Sequence, residues 1–291
     1  MKIAIFGNKT TTEALVEHLI ENKVSISALI IFRVSTSGSK SIAGYSAGLK
    51  DLARLNRIQL IEVDDYAIKS LSDQEKIISQ RFDLGIVTGW QRLIPVTVLK
   101  TFSIGVYGWH GSFLKFPNGR GRSPYNWSIR LGAERIFHNL FMYAAAADAG
   151  EVFETVEFSI APNDYISDVQ AKALSHIKSS SLRLVEACLS DSPIKLLAQP
   201  EEVSVHFPKI SPKDGKLQPD RHTAEHAINI IRSASHPFSG AYIEGAAGKI
   251  TVWRASLIDA ANSKTIRVDF IDRPVFFIDY HMDETIADQE T

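Results

Sequence analysis

Cysteine is nearly missing from this chain, with Cys188 the single one in 291 residues. One thiol excludes an intramolecular disulfide and a cysteine-built zinc site, and it fits a reducing compartment. Its neighbours Leu182, Leu184, Val185 and Leu189 give an amphipathic spacing in which Cys188 reads as a small core residue. An excess of either charge is missing too: 32 Lys and Arg stand against 33 Asp and Glu, a formal net charge of -1, which offers no bulk attraction to nucleic acid or anionic lipid. No apolar stretch approaches the ~20 residues that span a bilayer. The opening Met1-Lys2-Ile3-Ala4-Ile5-Phe6-Gly7 is too short an apolar run for a secretory signal, so the expectation is a cytoplasmic protein without a membrane partner. Gly7-Asn8-Lys9-Thr10 lacks the spacing of a phosphate loop, and no Gly-x-Gly-x-x-Gly follows the first apolar run to hold a dinucleotide.

What is present is ordinary core-forming material, 45% hydrophobic and 22% charged. At this length two unequal domains are expected, a first unit over 1–200 and a second over 201–291, with Asp191-Ser192-Pro193 and Gln199-Pro200-Glu201-Glu202 as the boundary. Apolar runs at Ile3 to Phe6, Ile26 to Phe32, Ile58 to Val63, Leu84 to Val87 and Ile104 to Tyr107 alternate with helical patterns or turns, as in Leu15, Val16, Leu19 and Ile20. That alternation predicts an α/β fold, a mainly parallel sheet with helices on both faces. The Ser- and Gly-rich segment Ser35 to Ser46 reads as a loop, either closing over a ligand or simply linking elements. A long helix is expected from Ile166 to Cys188. After the boundary come one helix, Thr223 to Ser233, and β-prone runs at Ala241 to Ile243, Ile250 to Trp253, Thr265 to Phe270 and Val275 to Tyr280, a small β-rich unit with a frayed acidic tail from Asp283.

The stretch from Gly105 to Gly150 carries the chemistry. A strand delivers His110-Gly111-Ser112, a loop follows (Phe116-Pro117-Asn118-Gly119-Arg120-Gly121-Arg122-Ser123-Pro124), then a helix, a second strand and Asp148-Ala149-Gly150. Ligands of open α/β sheets sit beyond the carboxyl ends of the strands, and His110 is expected just past such an end. An imidazole titrates near neutrality, so it suits proton transfer, and a carboxylate beside it orients the ring. Taken singly, His110 reads as a structural histidine and Asp148 as a turn residue.

Gly108-Trp109-His110-Gly111-Ser112, Arg120-Gly121-Arg122-Ser123-Pro124-Tyr125-Asn126-Trp127 and Asp148-Ala149-Gly150 resemble the motifs of the folate-dependent formyltransferases, a family that includes methionyl-tRNA formyltransferase and the sugar N-formyltransferases. Pro212-Lys213-Asp214-Gly215 and His236-Pro237-Phe238-Ser239-Gly240-Ala241 resemble the start of that family's barrel-like C-terminal domain. The resemblance implies a Rossmann-like formyltransferase domain that uses N10-formyltetrahydrofolate as co-substrate and needs no metal. It makes His110, Asp148, Ser112 and the position of Gly108 catalytic. It places the pterin against Gly89-Trp90-Gln91-Arg92-Leu93-Ile94 and against Ala144, Ala145, Ala146 and Ala147, whose small side chains permit close approach of a flat ring. Gly108 stands where the family carries an Asn that helps hold the oxyanion. Another donor in its place (Ser112, Asn118, Gln91 or a backbone N–H), an altered sequence, and a protein that binds without catalysing all remain open.

Three acceptor amines fit the resemblance: a nucleotide-linked amino sugar, a charged tRNA and a small ribonucleotide. From residue 201 onward ten Lys and Arg face fourteen Asp and Glu, the wrong balance for tRNA phosphates. A nucleotide-linked amino sugar is therefore preferred over nucleic acid, with Lys115, Arg120, Gly121, Arg122 and Trp109 as substrate contacts; a homodimer is left open. His222-Thr223-Ala224-Glu225-His226 matches the inverted zincin pattern, a rival metalloprotease reading that needs a third ligand from a large supporting fold.

Overall fold

The computed structural model describes residues 1–34, 44–190, 192–200, 204–245, 248–259 and 264–283. Most of the Ser- and Gly-rich loop, the acidic tail beyond Asp283, and parts of the expected domain boundary lie outside the described residues.

β1 (Ile3–Phe6), β2 (Ala28–Phe32), β3 (Gln59–Val63), β4 (Leu84–Val87) and β5 (Gly105–Ser112) form five parallel strands in the order β3-β2-β1-β4-β5. The four residues of β1 and of β4 are all buried, as the continuous apolar runs require once helices cover both faces. Leu15, Val16 and Leu19 of α1 (Thr10–Glu21) press on Ile3, Ile5 and Leu29 from one side. The other side holds Phe6, Ile30, Ile77 of α3 (Leu71–Ile78) and Val98 of α4 (Val96–Leu99), while α2 (Leu49–Leu55) adds Leu49 and Ala53 to the first.

Beyond β5 the sheet changes sense. After β6 (Arg120–Gly121) and α5 (Pro124–Arg130), β7 (Arg135–Met142) pairs antiparallel with β5, and β8 (Val152–Ser159) antiparallel with β7. His110 consequently lies inside β5, opposite Asn139, rather than past a strand end. The sequence expectation holds in a different sense, because the parallel ladder to β4 stops at the Val87–Gly108 pair and His110 projects beyond it. α6 (Ile166–Leu189) lies against β7 and β8, with Val169 and Ala173 packed on Ile136 and Phe158.

The C-terminal unit begins with β9 (His206–Phe207) and a 3-10 turn at Pro212–Gly215, continues through α7 (Ala224–Ala234), and ends in β10 (Ala241–Gly245), β11 (Gly248–Ser256), β12 (Ile266–Asp269) and β13 (Pro274–Asp283). These last four form an antiparallel sheet in the order β10-β11-β13-β12, and a register irregularity in β11 between Val252 and Ala255 bends it around Ile231, Val275 and Phe277. The expected β-rich, barrel-like unit is this antiparallel, curled sheet, in which β10 and β12 do not pair among the described residues. Arg232 of α7 ties this unit to the first: it donates to the Asp164 carbonyl at 2.7 Å and the Ala161 carbonyl at 2.9 Å. Asn126 of α5 reciprocates by donating to the Ser233 carbonyl at 2.7 Å. Among the described residues no helix is long and apolar enough to cross a membrane.

His138 of β7 is 2% exposed beneath this junction, and its Nε2 has no partner among the described residues. Burial first, then the neighbouring His176 and His110, lower its pKa from 6.5 to about 3. Above the ordinary histidine value, folded and unfolded chains hold the same protons at this site. Below it the unfolded chain takes up a proton that the folded chain refuses, so stability falls by up to about 1.4 kcal/mol per pH unit. The expected outcome in urea unfolding is a loss of stability from about pH 6.5 down to about 3, and a His138→Gln variant whose profile over that window is flatter.

Candidate active site

His110 is held at one ring nitrogen and faces a carboxylate with the other. Its Nε2 lies 2.7 Å from the Gly119 carbonyl, which can only accept, so Nε2 carries a hydrogen. Nδ1 faces Asp148 Oδ2 at 3.6 Å, too long for a hydrogen bond yet within the range that tightens when substrate closes such a site. The ring stacks on Phe116, centroids 5.5 Å apart, and Phe116 in turn meets Phe141 edge-on. Asp148 has a left-handed backbone, φ 56°, a conformation that Asp tolerates better than most residues. The same Oδ2 accepts from the Gly121 N–H at 3.1 Å, while the Asp148 and Gly150 carbonyls both accept from Gln199 Nε2.

The loop that supplies Gly119 and Gly121 does not stand alone. β6 pairs in parallel with β9 from the segment joining the two units, Gly119 N donates to the Val205 carbonyl at 3.0 Å, and Arg122 N to the Phe207 carbonyl at 2.8 Å. Gly121 has φ 103°, and a Cβ there would stand 2.3 Å from the Phe207 carbonyl oxygen. Glycine is thus required twice over, for its backbone angle and for the closeness of the crossing strand.

A cleft of about 260 Å³ opens at the C-terminal ends of the parallel strands, with Thr88, Gly89, Trp90, Trp109, Tyr125 and Tyr143 on its walls. His110 and Asp148 do not line it directly. Tyr143 connects the two places: it forms cleft wall, its ring covers Gly108, and it feels the Asp148 carboxylate. A Cβ on Gly108 would lie 2.6 Å from the Tyr143 hydroxyl oxygen.

The remaining sequence candidates divide. Trp90 is buried between Phe6 and Tyr66, and Ile94 is core. Gln91 is exposed and fixed through its N–H to Tyr66 Oη, Arg92 covers the Tyr66 ring, and Leu93 is 65% exposed. Ala144, Ala145, Ala146 and Ala147 are all exposed, a surface turn and not a tightly packed loop. Ser112 is fully buried under the loop, its Oγ accepting from Leu114 N, and Asn118 Oδ1 accepts from Val205 N. Lys115 sits on the Phe137 ring. Arg120 binds Gln199 Oε1, and Arg122 leaves an exposed guanidinium. Trp109 lies on the opposite face of β5 from His110 and donates to Ser180 Oγ at 3.0 Å. Sequence reasoning did not reach Tyr143, Phe116 or Gln199. The one available signal was an aromatic two residues beyond Phe141, on the strand that faces a bare Gly108.

His222 lies outside α7, ahead of the N-cap Thr223, so it does not share a helix face with His226 as the metalloprotease pattern requires. Among the described residues no group of three or more His, Cys, Asp or Glu side chains is placed to hold a metal ion.

Residues 1–183 match the formyl transferase family. Over 211 residues the chain is 26% identical to methionyl-tRNA formyltransferase from Coxiella burnetii, a match covering 72% of this chain and 65% of that protein, so the chain spans about two thirds of the length of the curated relatives it matches. Among solved structures it superposes on methionyl-tRNA formyltransferase from Clostridium thermocellum with a TM-score of 0.64 at 14% identity, covering 98% of this chain and 99% of that one. The N-formyltransferase from Helicobacter canadensis in complex with folinic acid and dTDP-3-aminofucose gives 0.64 at 15% identity, over 97% and 100% of the two chains.

Gly121→Ala should loosen the loop and the crossing strand together, because the strained angle alone costs about 1–3 kcal/mol. Limited proteolysis between residues 113 and 124 checks this: faster cleavage than in the wild type is expected, and an unchanged rate would mean that the strand contact does not hold the loop.

Proposed function

The chain belongs to the formyl transferase family, and from that premise we propose that it moves a formyl group from its co-substrate N10-formyltetrahydrofolate to the amino group of a nucleotide-linked amino sugar. The observation that carries this reading is the meeting of His110 and Asp148 at the end of the parallel ladder, beside an aromatic-walled cleft. A flat reduced pterin suits a slot with Trp90 and the Gly89 backbone on its wall, and Leu93, exposed on the following loop, offers apolar surface nearby.

The reaction asks little of the protein beyond proton handling and charge stabilisation. The amine nitrogen bonds to the formyl carbon and the carbonyl electron pair moves to oxygen. When that pair returns, the bond to N10 breaks; the folate nitrogen keeps the bonding electrons and gains a proton, and the amine loses one. With Nε2 committed to Gly119, Nδ1 is the nitrogen of His110 left to take and return that proton, and Asp148 favours the imidazolium that forms.

For the acceptor, the acidic balance of the C-terminal residues argues for a small anionic substrate over tRNA. Arg122, whose guanidinium is exposed, is the best placed of the candidate cations for a diphosphate. The relative from Coxiella favours methionyl-tRNA as the second reading. Binding of folate without transfer is the third, because Gly108 brings no side-chain donor.

A transfer assay with labelled 10-formyltetrahydrofolate over a panel of nucleotide-linked amino sugars, with methionyl-tRNA in parallel, separates the three. The sugar reading expects turnover with at least one sugar, lowered about 100- to 10,000-fold by His110→Ala and lowered also by Asp148→Asn. Turnover with methionyl-tRNA alone transfers the assignment to the second reading, and folate binding with no turnover to the third.

A further inference from the structure

We propose that the Tyr143 hydroxyl is the hydrogen-bond donor to the oxyanion of the transfer reaction, occupying the space that Gly108 leaves beside His110. The inference rests on the formyl-transfer reading and adds to it the group that stabilises its tetrahedral intermediate.

Attack on a formyl carbon places a full negative charge on oxygen for the life of the intermediate, and a buried site must meet that charge with a preorganised donor. On the face of β5 that carries His110, Gly108 has no side chain, and Ser112 is fully buried beneath the loop, its Oγ accepting from Leu114 N. His110 has given one nitrogen to Gly119 and turned the other toward Asp148, so the imidazole is spent on the proton. Tyr143 remains. It continues the face of β7 that carries Phe141, stacks on that ring at 5.3 Å, and is fixed by its N–H to the Val106 carbonyl at 2.7 Å. Its hydroxyl oxygen and Cε1 both come within 2.6 Å of an ideal Cβ at Gly108, about the reach from an asparagine Cβ to its own amide atoms. The phenol therefore stands where a side chain two residues before His110 would put its polar end. Any residue larger than glycine at 108 would displace it.

Among the described residues the hydroxyl makes no hydrogen bond, and Tyr143 is one of the residues lining the cleft. Burial first, and the Asp148 carboxylate second, hold its pKa above the ordinary tyrosine value, so the phenol keeps its proton and remains a donor throughout the pH range of the reaction. No proton leaves Tyr143 in the cycle: the O–H donates to the alkoxide as it forms and is released when the carbonyl returns.

Tyr143→Phe removes one oxygen and leaves the packing on Phe141 and Gly108 in place. The expected result is a fall in kcat of about 100- to 1,000-fold, with the KM for 10-formyltetrahydrofolate, its dissociation constant and the melting temperature close to wild type. A purely structural role would move the last two and spare kcat. Gly108→Asn alone should not raise turnover, since its Cβ meets the phenol; combined with Tyr143→Ala it should recover at least about tenfold over Tyr143→Ala alone, by restoring a donor to the same space. A Tyr143→Phe enzyme within about twofold of wild-type kcat overturns the donor role and leaves formyl transfer standing. A wild type that transfers formyl to no sugar, to no methionyl-tRNA and to no water overturns both.

Discussion

The orientation of His110 depends on a carbonyl in a loop that cannot hold itself. Gly119 accepts from Nε2, but the loop from Phe116 to Arg122 has only a two-residue strand of its own, and that strand pairs with a segment more than eighty residues further along. Hydrogen bonds from Gly119 to Val205, from Arg122 to Phe207 and from Val205 to Asn118 close the crossing. The chain joining the two units is thus part of the scaffold around His110. Separating the units would free the loop, and with it the group that decides which histidine nitrogen is available for chemistry. The imidazole sits on a strand, and its support comes from a segment far along the chain.

The reversal of the sheet at β5 explains why the site forms at this strand. A parallel ladder from β4 ends at Gly108, and the antiparallel partner β7 continues along the other edge to Ser112. Residues 108 to 112 therefore keep regular backbone geometry while one of their edges is open. β7 then returns toward the cleft and delivers Tyr143 and Asp148 to the same corner. A strand, which is stiff, supplies His110; Tyr143 follows directly on the last residue of β7, and Asp148 comes from a turn whose left-handed backbone is tied down through Gln199 and Gly121.

Much of this was legible in the residues. The apolar runs marked the five parallel strands because burial on both faces leaves no alternation to confuse, and α6 and α7 declared themselves through long amphipathic patterns. His110 and Asp148 were found through their motifs. β8 was not, since an outer strand reading Val152-Phe-Glu-Thr-Val-Glu-Phe-Ser159 carries two glutamates, Glu157 exposed and Glu154 half-buried, and sits between two stronger signals. The β6–β9 pair has only two residues on each side and no periodicity to betray it. Tyr143 was invisible for another reason: its importance lies in a contact with a glycine 35 residues away, and a glycine announces space without saying what fills it.

The two faces of β5 show how register protects this arrangement. Gly108, His110 and Ser112 face the loop and Tyr143; Trp109 and Gly111 face α5 and α6. Trp109 is anchored to Ser180, and a Cβ on Gly111 would strike Tyr125 at 2.4 Å and His138 at 2.8 Å. A slip by one residue would drive the imidazole into that second face, where there is no room for it, and would push the indole of Trp109 into the space of the phenol. The small residues on either side of His110 therefore do more than admit neighbours. Because each is crowded on its own side by a different aromatic, they leave the strand a single register, and that register is the one in which a histidine, a carboxylate and the Tyr143 ring converge.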